Sequence, residues 1–234
     1  MAALVGIGAA GAANATITVS VEAAGAQHST KALHYGGEGN FDGLGPGVYF
    51  TQTVQFDPNV SANMSTFFID PASALGGAGG VGNYLTATPF GTVLRFPTST
   101  VNYFGLWAST IASGNTVTFL NHDVAVASYD LADLFAALVP NPAGYLGNPT
   151  ANYHGQNPDK AYAFFNFASD EVFDEIMLTR NGAGGFAVDN LTVGYINPVT
   201  ASPDLPEPAT WATMLIGFGM AGAAMRHRRR VPAA

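Results

Sequence analysis

Four carboxylates crowd into the six positions 170–175, as Asp170, Glu171, Asp174 and Glu175. Two carboxylates at a fixed separation are the minimum equipment for general acid–base cleavage of a glycoside. In a strand or turn, however, neighbouring side chains point to opposite sides, so this run reads as a solvated turn. The five histidines, at 28, 34, 122, 154 and 227, include no H-x-H or H-E-x-x-H spacing that would aim two imidazoles at one metal. His122-Asp123 reads as an exposed loop pair. No serine stands in a G-x-S-x-G context, and the absence of cysteine removes thiolate nucleophiles, thiolate metal sites and disulfides. No nucleophile, base and oxyanion site come together, so the expectation is a protein that is not an enzyme.

The elements that carry these residues are mostly strands. Charged residues are 10% of the 234-residue chain, against about 25% in a typical soluble protein. The 28 glycines and 14 prolines imply many turns, and Thr, Asn, Ser and Gln must cover most of the surface, which suits a secreted β-protein. TITVSVE (16–22), VYFTQTVQF, TVLRFP, VNYFGLWAS, NTVTFLN, AYAFFNFA, VFDEIMLTRN and GGFAVDNLTVGY have strand length and composition, bounded by Gly, Pro, Asn or Ser. YGGEGNFDGLGPG (35–47) reads as turns and GGAGGVG (76–82) as a flexible surface loop. NGAGG (181–185) reads as a hairpin-type connection. Residues 128–139, SYDLADLFAALV, are the one helical segment, with Leu131, Leu134, Phe135 and Leu138 on one face and Ser128 or Asp130 as N-cap. The expected fold is all-β: an antiparallel β-sandwich or jelly roll with one short helix, over residues 16–198.

Both ends of the chain differ from this middle. An apolar run from Ala2 to Ala13 leads into Ala13-Asn14-Ala15, an A-x-A match to a signal-peptidase site; no Lys or Arg precedes it. The reading is a signal peptide over 1–15 with a possibly truncated start, the alternative being a small-residue core helix. At the other end, after a linker at 199–205, Ala209 to Met225 are 17 residues without a charge, at the lower end of the roughly 17–25 needed to span a bilayer. Arg226, Arg228, Arg229 and Arg230 follow at once. Such a cluster holds the cytoplasmic side of a membrane helix, so everything before Pro206 is expected outside the cytoplasm. Gly217, Gly219 and Ala221 to Ala223 give this helix a face of small residues.

Between Thr16 and Leu205 four basic residues (Lys31, Arg95, Lys160, Arg180) stand against fifteen acidic ones, a net charge of −11. A nucleic-acid partner is not expected, because phosphate binding needs a basic surface. Divalent cations and neutral sugars remain compatible with this charge.

Pro206-Glu207-Pro208, Trp211-Ala212, the short apolar segment and the arginines together resemble the PEP-CTERM sorting signal in its PEPxxWA variant, over residues 206–230. The resemblance implies export, transient tethering in the inner membrane of a Gram-negative bacterium, and processing by an exosortase near the PEP motif, followed by a cell-surface or extracellular location. Pro206, Glu207 and Pro208 would be the recognition element and Trp211 the interface marker. Two prolines keep such a segment extended and out of any sheet or helix, and Trp suits a bilayer boundary.

NYFGLWASTIASGNTVTFLN and AFFNFASDEVFDEIMLTRNGAGGFAVDNLTVGY resemble the ectodomain of one type of exosortase-dependent surface protein, which supports location and fold more than chemistry. GFAVDNLTV is also similar to the last strand of carbohydrate-binding jelly rolls, where an acidic residue holds a structural calcium. That resemblance implies Asp189 as a ligand, with Glu38 or Asp42 from the early turn; oxygen ligands suit such a cation, while Asp189-Asn190 as a simple bend is the alternative. Sugar binding uses ring faces, and Tyr103, Trp107, Tyr145 and Tyr153 are the candidates, with core packing the default for Trp107. Two functions are thus expected side by side. One is a non-catalytic surface or matrix protein associated with exopolysaccharide or biofilm. The other is a carbohydrate-binding module with a defined glycan.

Overall fold

β-branched and aromatic residues alternating with polar ones build twelve antiparallel strands in the computed structural model, which describes residues 15–97, 100–181 and 185–197. In chain order they are β1 (Ile17–Val21), β2 (Tyr35–Gly39), β3 (Gly47–Asp57), β4 (Val60–Pro71), β5 (Asn83–Ala87), β6 (Thr92–Arg95) and β7 (Val101–Ser109). β8 (Asn115–Asn121), β9 (Val124–Asp130), the helix α1 (Leu131–Leu138), β10 (Ala163–Phe173), β11 (Glu175–Arg180) and β12 (Ala187–Tyr195) complete the series. They belong to one sheet of order β1-β10-β7-β12-β5-β4-β6-β11-β8-β9, with β2 paired to β12 and β3 to β4.

The expected antiparallel β fold with one short helix is present, but in place of the two sheets of a sandwich or jelly roll the strands form one continuous, nearly closed sheet. Two residues with positive φ mark where strands change face. In β4, Thr66 has φ 48°. Before it the buried side chains are Val60, Ala62 and Met64; after it they are Phe67 and Ile69. The same residue separates the stretch paired with β6 (Asn63–Ser65) from the stretch paired with β5 (Phe67–Pro71). In β12, Asn190 has φ 47°, and the inward set shifts from Val188 to Leu191 and Val193 through a register irregularity against β7. Such bulges increase local twist and let one strand serve two neighbours.

The enclosed core draws on nearly every strand, with Phe104, Phe119 and Phe167 meeting at ring-centroid distances of 5.2–6.3 Å. α1 packs against β1, β8 and β9, so it lies between the two terminal strands of the sheet. Asp130 caps it, accepting from the N–H groups of Ala132 and Asp133. Leu131, Phe135 and Leu138 face inward as the helical periodicity predicts.

Several local expectations are corrected. Tyr35–Gly39 is a strand, not a run of turns. Its glycines are needed because a Cβ at Gly36 would stand 2.2 Å from the Val193 carbonyl oxygen, and one at Gly37 2.3 Å from that of Phe56. The connection after β11 is no hairpin, since β11 pairs with β6 and β8 whereas β12 pairs with β7, β2 and β5. Strands β4, β5 and β9 have no counterpart in the sequence reading; β9 absorbs Ser128.

The calls at 1–15 and 206–230, including the membrane-type helix, fall outside the described residues apart from Ala15. Among the described residues no helix is long and apolar enough to cross a membrane. The compact unit that holds all twelve strands ends at Asn197.

Candidate functional site

The αL conformation of Asn190 has a chemical consequence. A short polar side chain tolerates positive φ better than most, and the bulge leaves Asp189 on the outward side of β12, opposite Trp107 of β7. That outward side is not open to solvent. The segment 22–30 crosses it: Ser29 Oγ donates to Asn166 Oδ1 at 2.8 Å and lies 2.6 Å from the Tyr103 hydroxyl. Asn166 Nδ2 donates to Glu22 Oε1 at 3.0 Å, and Asn190 Nδ2 to the Gln27 carbonyl at 2.9 Å.

The glycine-rich loop at 76–82 closes the roof. Its Ala78 N–H donates to Asp189 Oδ2 at 2.8 Å, and its Gly79 N–H to Gln27 Oε1. It is thus pinned rather than a free surface loop. The long connection before β10 adds Tyr153, whose hydroxyl donates to the Ala72 carbonyl, and Asn157 and Tyr162, which both donate to the Ala74 carbonyl. Trp107, Tyr162 and Phe164 form a small second core beneath this roof, packed by Ala78.

Asp189 is 3% exposed. Burial pushes its carboxyl up to about 7, against the backbone hydrogen bonds from Ala78 and Asn190, and the negative charges of Asp42 and Glu38 push the same way. The three acids singled out from sequence therefore do feel one another. Each has its own partner, however: Asp42 Oδ1 accepts from the Asn83 N–H at 2.9 Å, and Glu38 Oε2 sits 2.9 Å from His28 Nδ1. Both Asp189 oxygens accept from backbone, Oδ1 from the Asn190 N–H. Among the described residues no three His, Asp or Glu side chains are grouped to hold a metal ion. Asp189 serves as a hydrogen-bonded joint between sheet and roof, with Asp42 engaged by Asn83 and Glu38 by His28.

Of the four rings expected to stack on sugars, two are interior. Tyr103 and Trp107 are fully buried; burial pushes the Tyr103 hydroxyl well up, opposed by its hydrogen bond with Ser29. Tyr145 packs edge-on against Phe135 at 5.5 Å and donates its hydroxyl to the Glu22 carbonyl. Tyr103 and Trp107 are interior because roof segments that sequence periodicity cannot see lie over them, whereas Tyr145 and Tyr153 are half-buried, Tyr153 as part of the roof itself.

The carboxylate run is also dispersed. Asp170 accepts from the Thr16 N–H, Asp174 from the His122 N–H, and the buried Glu175 pairs with Arg95 Nε at 2.7 Å. His122 and Asp123, with φ 52° and 61°, form the two-residue turn joining β8 to β9, and Asp123 Oδ1 accepts from Arg95 Nη2. Sequence reasoning missed His28, Ser29, Asn166 and Asn190 as members of the roof joint. One signal was available for Asn190: the apolar spacing of two through Phe186 and Val188 jumps to three before Leu191.

The family model for the PEP-CTERM protein-sorting motif matches residues 204–230. No curated protein and no solved structure matches the chain. The motif supports an exported protein that is processed by an exosortase after membrane anchoring, and it begins seven residues beyond the last described one.

Proposed function

We propose that this chain is an exosortase-processed, non-catalytic surface or extracellular-matrix protein whose product is the roofed β-domain. The carrying observation is the order of parts: a compact unit ending at Asn197 followed at once by the PEP-CTERM motif at 204–230. β12 lies inside the sheet, hydrogen-bonded to β7, β2 and β5, so cleavage in the tail leaves all twelve described strands in place. In this reading Pro206, Glu207, Pro208 and Trp211 are read by the exosortase, and Arg226, Arg228, Arg229 and Arg230 hold the tail in the inner membrane of a Gram-negative cell. A signal peptide at 1–15 starts export.

The absence of catalysis is part of the proposal. His28 is turned to Glu38, while the neighbouring Ser29 hydroxyl is engaged with Tyr103 and Asn166, so this histidine and serine are not arranged as base and nucleophile. Retention in exopolysaccharide or biofilm is the destination proposed for the cleaved domain. The test is intact mass spectrometry of the exported protein with and without the exosortase gene. A C-terminus near Pro206 that requires the gene is expected; a chain ending at Ala234 in both strains overturns the reading.

A further inference from the structure

One strand edge lacks the protection the others have. The ends of the sheet path, β1 and β9, both pack against α1. β3 pairs with β4 along its length, and beyond that its second half leans on β2, where the Gly36 N–H donates to Asp57 Oδ2 and Phe56 approaches Gly37 and Gly39. The first half, Gly47 to Thr53, has no second strand among the described residues. On one face of it the exposed side chains are apolar: Phe50 is 73% and Val48 50% exposed, with Phe68 directly across from Val48 also exposed; on the other face Thr51 and Thr53 are exposed and uncharged.

Natural edge strands are guarded by charge, proline, a bulge or a cover. From Gly43 to Phe56 there is no charged residue, and the one proline, Pro46, precedes the strand. The next acids are Asp42 and Asp57, in a segment whose net charge is −11.

We propose that the Gly47–Thr53 edge of β3 is a self-association surface that pairs antiparallel with the same edge of a second copy. Charge selects this occupant. Two copies of so acidic a domain repel over most of their surface, and the Gly47–Thr53 strand is where they approach with no carboxylate on either facing strand, the nearest on the adjoining β4 being Asp70. Symmetry supplies the rest. A two-fold axis through the sheet sets identical N–H and C=O groups against each other and keeps Val48, Phe50 and Phe68 of both copies on one face, as an isologous contact requires. The buried area of a single strand pair is small, on the order of 1,000 Å², so the contact is weak in dilute solution and suits a protein concentrated at a surface. The proposal rests on β3 and stands apart from the processing of the tail.

Because the chain has no cysteine, introduced cysteines report cleanly. The experiment uses the full chain in a non-ionic detergent, with single variants Val48→Cys, Phe50→Cys and Gln52→Cys and, as control, Val124→Cys, exposed on β9. Mild oxidation is expected to link at least one β3 position into dimers about tenfold more efficiently than the control. Sedimentation of the cysteine-free chain should show concentration-dependent dimers that Phe50→Lys weakens by tenfold or more; Phe50 is exposed, so the fold is retained, checked by far-ultraviolet circular dichroism. Monomers at every concentration, equal linking at Val124→Cys, or dimers indifferent to Phe50→Lys each overturn the proposal, the last by assigning association to another surface such as the tail.

Discussion

Asp189 of β12 stands directly opposite Trp107 of β7, and both are buried on the side of the sheet that faces away from the main core. An acid and an indole occupy this face because a separate roof covers it and supplies backbone donors to the acid. The Trp107 Nε1 atom has no hydrogen-bond partner there.

Asp189 makes stability depend on pH. Its folded value is about 7 against an ordinary 3.8, so between these values the folded protein holds a proton that the unfolded chain has released. The contribution is full below pH 4, falls as pH rises toward 7 and is gone above it, a loss on the order of 3–4 kcal/mol. Urea unfolding of Asp189→Asn should lack this slope. Parallel profiles for the two proteins would refute the assignment.

Asn190 is held in αL while its side chain ties the sheet to the roof at Gln27. Asn190→Gly keeps the backbone and loses the hydrogen bond, for about 1 kcal/mol. Asn190→Ala adds αL strain and should cost about 2 kcal/mol, and Asn190→Val more. Melting temperatures in that order support the account; a valine variant as stable as glycine contradicts it.

Arg95 and Glu175 pair at 2.7 Å with the carboxylate nearly buried and the guanidinium open. Arg95→Met leaves the Glu175 charge uncompensated and should destabilise by about 2 kcal/mol, whereas Asp123→Ala, at the exposed end of the same network, should cost under about 0.5 kcal/mol. A double-mutant cycle of Arg95→Met with Glu175→Gln tests the coupling, which should recover much of the loss.

Of the two tryptophans, Trp107 and Trp211, only Trp107 remains after cleavage near Pro206. Its burial predicts blue-shifted emission from the processed protein, resistance to acrylamide and no response to added polysaccharide. Quenching by acrylamide or a glycan-induced shift would show that the roof opens.

Much of the strand content is legible because a pleated strand writes its faces into alternate residues. VNYFGLWAS, NTVTFLN and AVDNLTVGY announce β7, β8 and β12 by strand length and composition between turn residues, and the helix follows from Leu131, Phe135 and Leu138. β4 is harder to see because the change of face at Thr66 breaks its alternation. β2 is hidden because glycines, normally turn residues, are required where two backbones crowd it.

By itself, the sequence determines a β-rich chain poor in charge, a single short helix and a C-terminal sorting motif, since composition, periodicity and tightly spaced motifs are local properties. Only the tertiary structure decides which strands are neighbours and that Tyr103 and Trp107 are interior. Only it shows that Asp189 is buried and takes backbone hydrogen bonds from Ala78 and Asn190. Periodicity tells which residues share a face of a strand; what lies over that face is set by segments distant in the chain, here 22–30 and 76–82, whose docking depends on hydrogen bonds that no local pattern encodes.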